Sequence, residues 1–331
     1  ATSTTRGLNN LGNTCYINVI IQILLENLSI QQQTNQNILK KTPLIDSLKL
    51  VADKHDRIHL ENFIELLSKE TGKNLKVQSD AGEFMNDFFS LIDNEDSTIL
   101  ESFRLQQYQV TQTCKRCNTP KSRTSKKHVY QLLLSSSGET IQERLDKQLE
   151  HPIANFYCEF CGSQVVEGGK ERISFGAPEN LILILPWSYE NRQWSQTTPI
   201  TLPEGDIMEL QSVVLHYGSS VSSGHYVAAI RKFRTNQWIL CNDQNVSKAT
   251  SEQIQSGVPT VLLYKRKSAI NRLAAQSDSV GGNPSWELPK TLRAPQVWIS
   301  GTLFMMLLLV TLKRVTRHVG FRTLLLLKPE V

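Results

Sequence analysis

A cysteine near the amino end and two polar sites in the carboxyl half have the residue types needed for nucleophilic catalysis by a thiol. Cys15 follows Gly12-Asn13-Thr14 and opens an apolar periodic run. It is therefore predicted in the first turn of a helix, where aligned N–H groups stabilise a thiolate. His225, at a loop-to-strand junction, could accept its proton, and Asn242 or Asp243 could orient the ring. Taken singly, each has an ordinary alternative: a small core thiol, a satisfied histidine and a turn pair.

Four of the six cysteines form two Cys-x-x-Cys pairs with the spacing of metal ligands. Cys114 and Cys117 enclose Lys-Arg, Cys158 and Cys161 enclose Glu-Phe, and 40 residues separate the pairs. Four thiolates so arranged can close a tetrahedral zinc site, which has no open coordination position and is therefore structural. A metal cluster together with free thiols is typical of a reducing compartment. Redox-active or vestigial pairs are the alternatives.

Helical patterns come first along the chain and strand patterns follow, so these elements must bring the candidate residues together. Apolar residues recur at helical spacing over 17–28, 60–68 and 80–92. From about residue 103 onward, short apolar runs predict strands. The runs lie at 181–185, 213–217, 226–230, 238–241 and 261–264. Helices followed by strands predict an α+β domain whose two layers meet at a cleft.

The carboxyl end has the pattern of a membrane anchor. Residues 268–293 are rich in Ser, Gly and Pro and are predicted to form a flexible linker. The uncharged segment 294–312 would extend about 28 Å as a helix, a short but sufficient membrane span. Trp298 would lie near one interface and the basic tail, residues 313–331, at the other. A buried helix docked on the domain is the alternative.

Composition fits a large globular domain with an appendage. The 331 residues are 40% hydrophobic and 20% charged, which excludes a mainly disordered, collagenous or repeat-built chain. The net charge is +5, but the tail alone, with five Lys or Arg against one Glu, supplies +4 of it. The rest is nearly neutral, so the basic run over 115–127 is interpreted as a solvated face, and we expect no nucleic-acid partner.

Four blocks of sequence, in the same order, resemble the ubiquitin-specific proteases, which are cysteine deubiquitinases with a papain-like core. The blocks are Gly7–Asn18, Gln78–Phe84, Tyr217–Tyr226 with Trp238 and Asn242-Asp243, and Val261–Tyr264. The first reads Gly-Leu-Asn-Asn-Leu-Gly-Asn-Thr-Cys-Tyr-Ile-Asn and is similar to the family's Cys box. The second, Gln-Ser-Asp-Ala-Gly-Glu-Phe, is similar to its Gln-Asp-Ala-His-Glu-Phe box. The last two resemble the His box and the closing strand, and the similarity covers about residues 6–267.

The resemblance implies a papain-like α+β fold with a helical thumb, a β-rich palm and zinc-ribbon-like fingers. The catalytic domain would be residues 1–267, with fingers at about 103–175, followed by the C-terminal transmembrane helix. The implied activity is hydrolysis of the isopeptide or peptide bond after the C-terminal Gly of ubiquitin, through a Cys15 thioester. Ubiquitin and ubiquitinated proteins would be the partners. The fingers would hold structural zinc through Cys114, Cys117, Cys158 and Cys161.

The same resemblance assigns roles to the residues that match the family's catalytic positions. Cys15 would be the nucleophile and His225 the general base. Asn242 would orient the imidazole, with Asp243 as an auxiliary or a substitute. Asn10, five residues before the cysteine, would supply an amide donor to the oxyanion.

Three further residues match the family's substrate channel, and three positions depart from its pattern. Asp80 would bind the extended ubiquitin tail, and Gly224 and Tyr226 would narrow the channel around its terminal Gly-Gly. The departures are Gly82 in place of His, Cys241 in place of an aromatic residue, and Leu185-Pro-Trp187 in place of a basic-aromatic ending. They bear on rate and linkage preference more than on the reaction.

Two alternative functions remain open, and the cellular location can also be predicted. A catalytically weak or inactive ubiquitin-binding module of the same fold is the main alternative, and a nucleic-acid-binding zinc ribbon is the second. Because ubiquitin conjugates are cytosolic, we expect the catalytic domain in the cytosol, anchored to the mitochondrial outer membrane or the endoplasmic reticulum. A single crossing then places the basic tail on the far side, against the positive-inside tendency.

Overall fold

A computed structural model describes residues 5–27, 43–133, 139–165, 169–186, 199–220, 223–232 and 235–272. The helices are α1 (Cys15–Leu25), α2 (Pro43–Lys54), α3 (Arg57–Thr71), α4 (Ala81–Glu95), α5 (Ile141–Leu149) and α6 (Ser251–Ser256), with a 3-10 turn at Glu101–Phe103. The helices predicted within 17–28, 60–68 and 80–92 are confirmed as α1, α3 and α4. The sequence analysis missed α2, α5 and α6.

The central helix α1 is buried on nearly its whole circumference, as expected for a helix that is apolar all round. It packs against the strand that carries His225 and against α4. The helices beside it are amphipathic and have side-chain caps: Asp56 accepts the N–H of His59 at the start of α3, and Asp80 accepts the N–H of Glu83 at the start of α4. These caps fix where α4 begins, next to the cleft.

Fourteen strands complete the described part of the chain. They are β1 (Leu105–Thr113), β2 (Pro120–Lys127), β3 (Val129–Gln131), β4 (Glu150–Ile153), β5 (Phe156–Cys158), β6 (Ser163–Val165), β7 (Gly169–Ser174), β8 (Asn180–Ile184), β9 (Ile200–Thr201), β10 (Ile207–Ser220), β11 (Ser223–Arg231), β12 (Trp238–Asn242), β13 (Asn245–Lys248) and β14 (Val258–Arg266). The five predicted strands are confirmed within β8, β10, β11, β12 and β14.

The large sheet has the order β13-β12-β11-β10-β14-β8-β3, with β9 paired to β10. Its neighbours are antiparallel except for the parallel pair of β3 and β8. Side chains of β10 alternate between two cores: Val214 faces the helices α1–α4, while Val213 and Leu215 face the other core, to which α5 contributes. Both faces of the sheet are thus covered, which explains why its central strands are continuously apolar.

Along the chain, a second and smaller group of strands follows the helices α1–α4 and precedes the last strands of the large sheet. It contains a four-stranded sheet of order β2-β1-β7-β4 and the hairpin of β5 and β6. All of these strands fall within the predicted fingers, residues 103–175. That range also contains β3, which belongs to the large sheet, and α5, whose apolar face packs in the core beneath that sheet. The range predicted for the fingers therefore contains the small sheet and its hairpin, together with β3 and α5, which belong to the large sheet and its core.

Most of the predicted membrane anchor lies outside the described residues. Residues 267–272, at the end of the described chain, are helical and Ala269 is buried, so the predicted flexible linker begins with a helical stretch. The span 294–312 and the tail 313–331 are not described and stay predictions. In the ranges that the structure does describe, no helix combines the length and the apolarity needed to cross a bilayer.

Candidate active site

Three neighbouring elements carry the predicted catalytic residues. Cys15 is the first residue of α1, His225 is the third residue of β11, and Asn242 is the last residue of β12. β11 and β12 are adjacent antiparallel strands, and α1 packs against both. The fold therefore brings together side chains that lie more than two hundred residues apart in the chain.

Cys15, His225 and Asn242 form one hydrogen-bonded series. The Nε2 atom of His225 lies 2.7 Å from Oδ1 of Asn242. A hydrogen bond with Cys15 is the largest cause that raises the pKa of His225, to about 9, against the opposing effect of its burial. The ring thus bonds to both the amide of Asn242 and the thiol of Cys15, which is the orientation that proton exchange with a thiol requires.

Access to the sulfur is narrow. Cys15 is only 2% exposed, whereas the side chain of His225 is 37% exposed. The cysteine also begins a helix, where the first N–H groups have no partner within the helix. A substrate must therefore reach the sulfur along the side where the imidazole is open to solvent.

Asp243, predicted as an auxiliary or substitute third member, lies close to the ring but is not hydrogen-bonded to it. Its Oδ2 atom lies 3.8 Å from Nε2 of His225, beyond hydrogen-bond distance. Instead, Oδ2 accepts a bond of 3.0 Å from Asn10, and Oδ1 accepts one of 2.8 Å from Asn18. The backbone N–H of Leu8 donates to the carbonyl of Asp243 at 2.9 Å. The carboxylate therefore holds the loop before α1, and its charge adds a smaller contribution, after the hydrogen bond with Cys15, to the raised pKa of His225. Its auxiliary role stays a prediction.

Asn10, the predicted oxyanion donor, is fixed within that loop. Its Oδ1 atom accepts the N–H groups of Gly12 and Thr14 at 3.0 and 3.2 Å, while its Nδ2 donates to Asp243. An amide nitrogen carries two protons, so this bond leaves a second donor. The amide is oriented in advance by its own loop, as oxyanion stabilisation requires, and that role stays a prediction.

Asp80 and Gly224 lie on opposite sides of the cleft. Asp80 caps α4 and borders a cavity of about 570 Å³ whose lining also includes Glu83 and Ile184. Gly224 has φ +154°, and a Cβ there would stand 2.5 Å from the ring of His216, so no other residue fits without displacement. Their predicted contacts with substrate remain predictions.

Tyr226, the third predicted channel residue, is wholly buried, with its ring 4.6 Å from that of His216. Burial, with a smaller contribution from the charge of Asp80, raises the pKa of its phenol. Its side chain is part of the core under the cleft and does not reach solvent. Its predicted contact with a substrate remains a prediction, and the structure places the residue beneath Gly224.

The departures from the family pattern have local explanations. At Gly82 a Cβ would lie 2.5 Å from Cγ2 of Ile184. The helix α4 therefore packs so close to β8 that a side chain at position 82 would overlap Ile184. Cys241 is fully buried, and burial raises the pKa of its thiol to about 12, which makes it an inert core residue. Leu185 continues beyond β8 and is buried.

Sequence reasoning missed three polar residues around the site. Asn18 and Gln22 lie one and two turns after Cys15 on α1, both buried, and both donate to Asp243. Gln78 donates from the loop before α4 to the carbonyl of Gly224 at 3.3 Å. The signal for the first two was present: two amides at helical spacing in an otherwise apolar helix must have buried partners.

The four paired cysteines converge as their spacing predicts. All their sulfur atoms lie within 4.8 Å of one another, with Cys114 and Cys161 at 3.9 Å and Cys117 and Cys158 at 3.7 Å. Four sulfurs at about 2.3 Å from a tetrahedral zinc would lie about 3.8 Å apart. Asn118 and Gly162, each directly after a pair, have positive φ and turn the chain back around the sulfurs. The donor set fits zinc.

The site indicates a cysteine hydrolase: an α+β scaffold carries a Cys–His–Asn constellation, and a separate small sheet carries a cluster of four thiols. Comparison with known proteins gives the family. The chain belongs to the ubiquitin carboxyl-terminal hydrolase family, whose model matches residues 6–264. The predicted family is confirmed.

Among curated proteins, ubiquitin carboxyl-terminal hydrolase 48 of Danio rerio is 26% identical over 310 residues, which cover 79% of this chain and 29% of that protein. Ubiquitin carboxyl-terminal hydrolase 26 of Oryza sativa subsp. japonica is 28% identical, over 75% of this chain and 26% of the relative. The probable ubiquitin carboxyl-terminal hydrolase 16 of Schizosaccharomyces pombe is 23% identical, with 79% and 67% coverage. The chain thus spans less than a third of the length of the first two relatives.

Solved structures give the same fold. A SAGA DUB module of Ubp8, Sgf11, Sus1 and Sgf73 bound to monoubiquitin matches with a TM-score of 0.65 and 19% identity, over 79% of this chain and 69% of the other. A module of the same four proteins bound to ubiquitin aldehyde matches with a TM-score of 0.64 and 17% identity, with the same coverage. The α+β architecture predicted from the sequence is confirmed.

Proposed function

We propose that the protein is a deubiquitinase that hydrolyses the isopeptide or peptide bond after the C-terminal glycine of ubiquitin. One observation carries this proposal: the imidazole of His225 bonds to Oδ1 of Asn242 at 2.7 Å and to the thiol of Cys15. Family membership supports the choice of substrate, as does the fold shared with modules solved with ubiquitin. A binding module would not need the three groups in this series.

The residues account for both halves of a thiol-mediated hydrolysis. The Cys15 thiolate attacks the glycine carbonyl carbon, and the carbonyl oxygen becomes an oxyanion that Asn10 and the Cys15 N–H stabilise. The C–N bond breaks as the His225 imidazolium protonates the leaving amine, which leaves a thioester on sulfur. A water molecule, deprotonated by His225, then attacks the thioester. The ubiquitin carboxylate departs and the thiolate is restored.

The cavity beside α4 is the proposed channel for the substrate's tail. Its volume is about 570 Å³, and its lining combines the acidic Asp80 and Glu83 with the basic Lys127. A lining of mixed charge suits a polar, extended segment of peptide. Gly224, on β11, is proposed to border the path of the two terminal glycines from this cavity to the sulfur.

The cysteine cluster is proposed to bind one structural zinc ion through Cys114, Cys117, Cys158 and Cys161. Thiolates are the form that binds zinc, and the sulfur separations of 3.7 and 3.9 Å match those expected around a tetrahedral ion. The ion would fix the tip of the small sheet, and it takes no part in the reaction.

Membrane attachment through residues 294–312 is also proposed, with the globular part in the cytosol and the mitochondrial outer membrane or endoplasmic reticulum as the location. Support comes from the uncharged span and the basic residues after it. A fusion of residues 268–331 to a fluorescent protein tests the anchor by imaging. We expect a membrane pattern, and a diffuse cytosolic signal would contradict the proposal.

The activity is tested with a ubiquitin probe that has an electrophilic C-terminus and, separately, with di-ubiquitin. The full chain should form a covalent adduct on Cys15 and cleave the dimer, and Cys15→Ala should do neither. Cys241→Ala, which removes a buried thiol outside the site, is the matched control and should form the adduct. Affinity for ubiquitin without an adduct would show a binding module instead.

A further inference from the structure

The side chain of Asn18 connects three parts of the candidate active site: the helix α1, the loop before α1 and the turn between β12 and β13. It lies one turn after Cys15 on α1, so the helix that carries the nucleophile also carries this amide. Its Nδ2 group donates to the carbonyl oxygen of Asn9 at 3.0 Å and to Oδ1 of Asp243 at 2.8 Å. Asn9 directly precedes Asn10 in the loop before α1, and Asp243 directly follows Asn242.

Both protons of the Asn18 amide are used by these two bonds, and the residue is 0% exposed. A buried amide is costly unless its donors are satisfied, so the two acceptors are held at fixed positions relative to α1. Asp243 in turn restrains the side chain of Asn10, because its other carboxylate oxygen accepts the bond from Asn10. The amide proposed for the oxyanion is thereby oriented from both its loop and the β12–β13 turn.

We propose that Asn18 is a positioning residue that sets the orientation of the Asn10 amide towards the oxyanion. This rests on the proposed function, since it concerns the same hydrolysis. Asn18 touches neither the sulfur nor the imidazole by any bond described above. It should therefore act on the step in which charge develops on the carbonyl oxygen, and leave the Cys15–His225 pair unaltered.

Gln22 provides a matched comparison on the same helix face. It lies one turn further along α1, is also buried, and also donates to Asp243, but to the backbone carbonyl and at 3.4 Å. It has no described bond to Asn9 or to the Asp243 carboxylate. A general need for buried amides in α1 would make the two residues equivalent, whereas positioning of Asn10 requires Asn18 alone.

The test compares two rates in the full chain and in its Asn18→Ala and Gln22→Ala variants. The first is steady-state hydrolysis of ubiquitin with a fluorogenic C-terminal amide. The second is alkylation of Cys15 by iodoacetamide, followed by mass spectrometry of the Cys15 peptide. Alkylation depends on the thiolate and its histidine but forms no oxyanion, so it separates the two functions.

We expect Asn18→Ala to lower kcat about 10–100-fold, the range for a displaced oxyanion donor, with KM changed less than about 2-fold. Its alkylation rate and pH profile should match those of the unaltered chain. Gln22→Ala should lower kcat less than about 3-fold. Equal losses in the two variants, or a parallel loss of alkylation, would overturn the positioning role. Normal alkylation without ubiquitin hydrolysis in the unaltered chain would instead refute the proposed function.

A reciprocal exchange keeps the proposal testable if Asn18→Ala folds poorly. Asn18→Asp places two carboxylates face to face and should abolish hydrolysis. Adding Asp243→Asn restores one donor–acceptor pair and leaves an oxygen to accept from Asn10. The double variant should therefore recover at least about 10-fold of the lost kcat, a coupling expected only between residues in contact. No recovery in a folded double variant, judged by its thermal unfolding, would contradict the inference.

Discussion

The catalytic cleft and the cysteine cluster position their reactive side chains in opposite ways. In the cleft, Cys15 and His225 come from elements that are distant in the chain, and their approach depends on the whole large sheet. In the cluster, each pair lies within one tight turn, and positive φ at Asn118 and Gly162 closes that turn locally. The cleft depends on global packing, and the cluster depends on local geometry and on the proposed zinc ion.

The packing around the two regions differs accordingly. The cleft lies above a continuous core that includes α1, α4 and the large sheet. Among the described residues, the apolar cluster at the tip of the small sheet consists of the four cysteines and Phe156. Such a cluster buries too little apolar surface to hold itself together, which is the usual reason for a structural metal. We therefore expect metal removal and cleft substitutions to have separable effects.

The largest separation should come from Cys158→Ser. One of four zinc ligands is lost, so metal content measured by plasma mass spectrometry should fall from about one zinc per chain to near zero. The thermal unfolding temperature should fall as well, while alkylation of Cys15 keeps its rate. Cys241→Ala serves as the control and should retain the metal. A slower alkylation of Cys15 in the zinc-free protein would show that the two regions are not independent.

Asn242→Ala should produce the next largest effect, confined to the cleft. Loss of the 2.7 Å bond frees the imidazole to rotate away from the sulfur. We expect kcat/KM for a fluorogenic ubiquitin substrate to fall about 100-fold, with zinc content and unfolding temperature unchanged. The exposed Asn245, on the paired strand β13, gives the control: Asn245→Ala should remain fully active. Similar losses from both would indicate damage to the sheet instead.

A smaller and graded effect is expected in the titration of His225. Because the hydrogen bond with Cys15 is the main cause of its pKa of about 9, Cys15→Ala should lower that pKa towards the ordinary value of 6.5. NMR of ring-labelled histidine, assigned with His225→Gln, measures the change. Zinc removal should leave the titration in place, and an unshifted pKa in Cys15→Ala would mean that the sulfur and the ring do not interact.

The same raised pKa has a consequence for stability, whose sign follows from the binding of protons. Below pH 6.5 the ring is protonated in the folded and unfolded chains, and its interactions stabilise the fold fully. As pH rises from 6.5 to 9, the folded chain retains a proton that the unfolded chain loses, so this contribution falls and is gone above 9. The alkaline limb of kcat/KM should lie in the same region, because the imidazolium must protonate the amine.

Gly82→Ala should have the smallest effect on activity. The added Cβ would overlap Cγ2 of Ile184 and lie 3.1 Å from Oδ1 of Asp80. Despite the better helix propensity of alanine, we expect a loss of about 1–3 kcal/mol in the free energy of unfolding, measured with urea. Ile184→Ala in the same chain removes the contact and should recover part of that loss. An alanine at 82 without cost would mean that α4 and β8 are further apart than described.

The sequence predicted the parts of the site whose signals are carried by spacing. The spacing of the two Cys-x-x-Cys pairs predicted their grouping, whereas the grouping of Cys15, His225 and Asn242 depended on the resemblance of whole sequence blocks to the family. The missed helix α5 also has a local signal, a capping box between Thr140 and Glu143. The helix is short and lies among strands, so hydrophobic periodicity alone does not predict it.

Other features could not have been derived from sequence, because they depend on tertiary placement. Asn242 and Asp243 are adjacent and both have side-chain oxygens, yet one bonds to the ring and the other to the loop before α1. Asp243 already lies in the β12–β13 turn, with φ +48°, whereas Asn242 is the last residue of β12. Likewise, Tyr226 follows His225 directly but points into the core, since successive residues of a strand face opposite sides.

The pairing of β11 with β12 has a further implication for mutational tolerance. Ala228 lies opposite Cys241 and Ala229 opposite Leu240, and this alignment leaves His225 and Asn242 on one surface of the pleat. A slip of a single residue would turn every side chain of β12 over, so that an amide would be exchanged for a core thiol beside the ring. Insertions in the loop between these strands are tolerable, whereas a single insertion within either strand should silence the hydrolase without unfolding it.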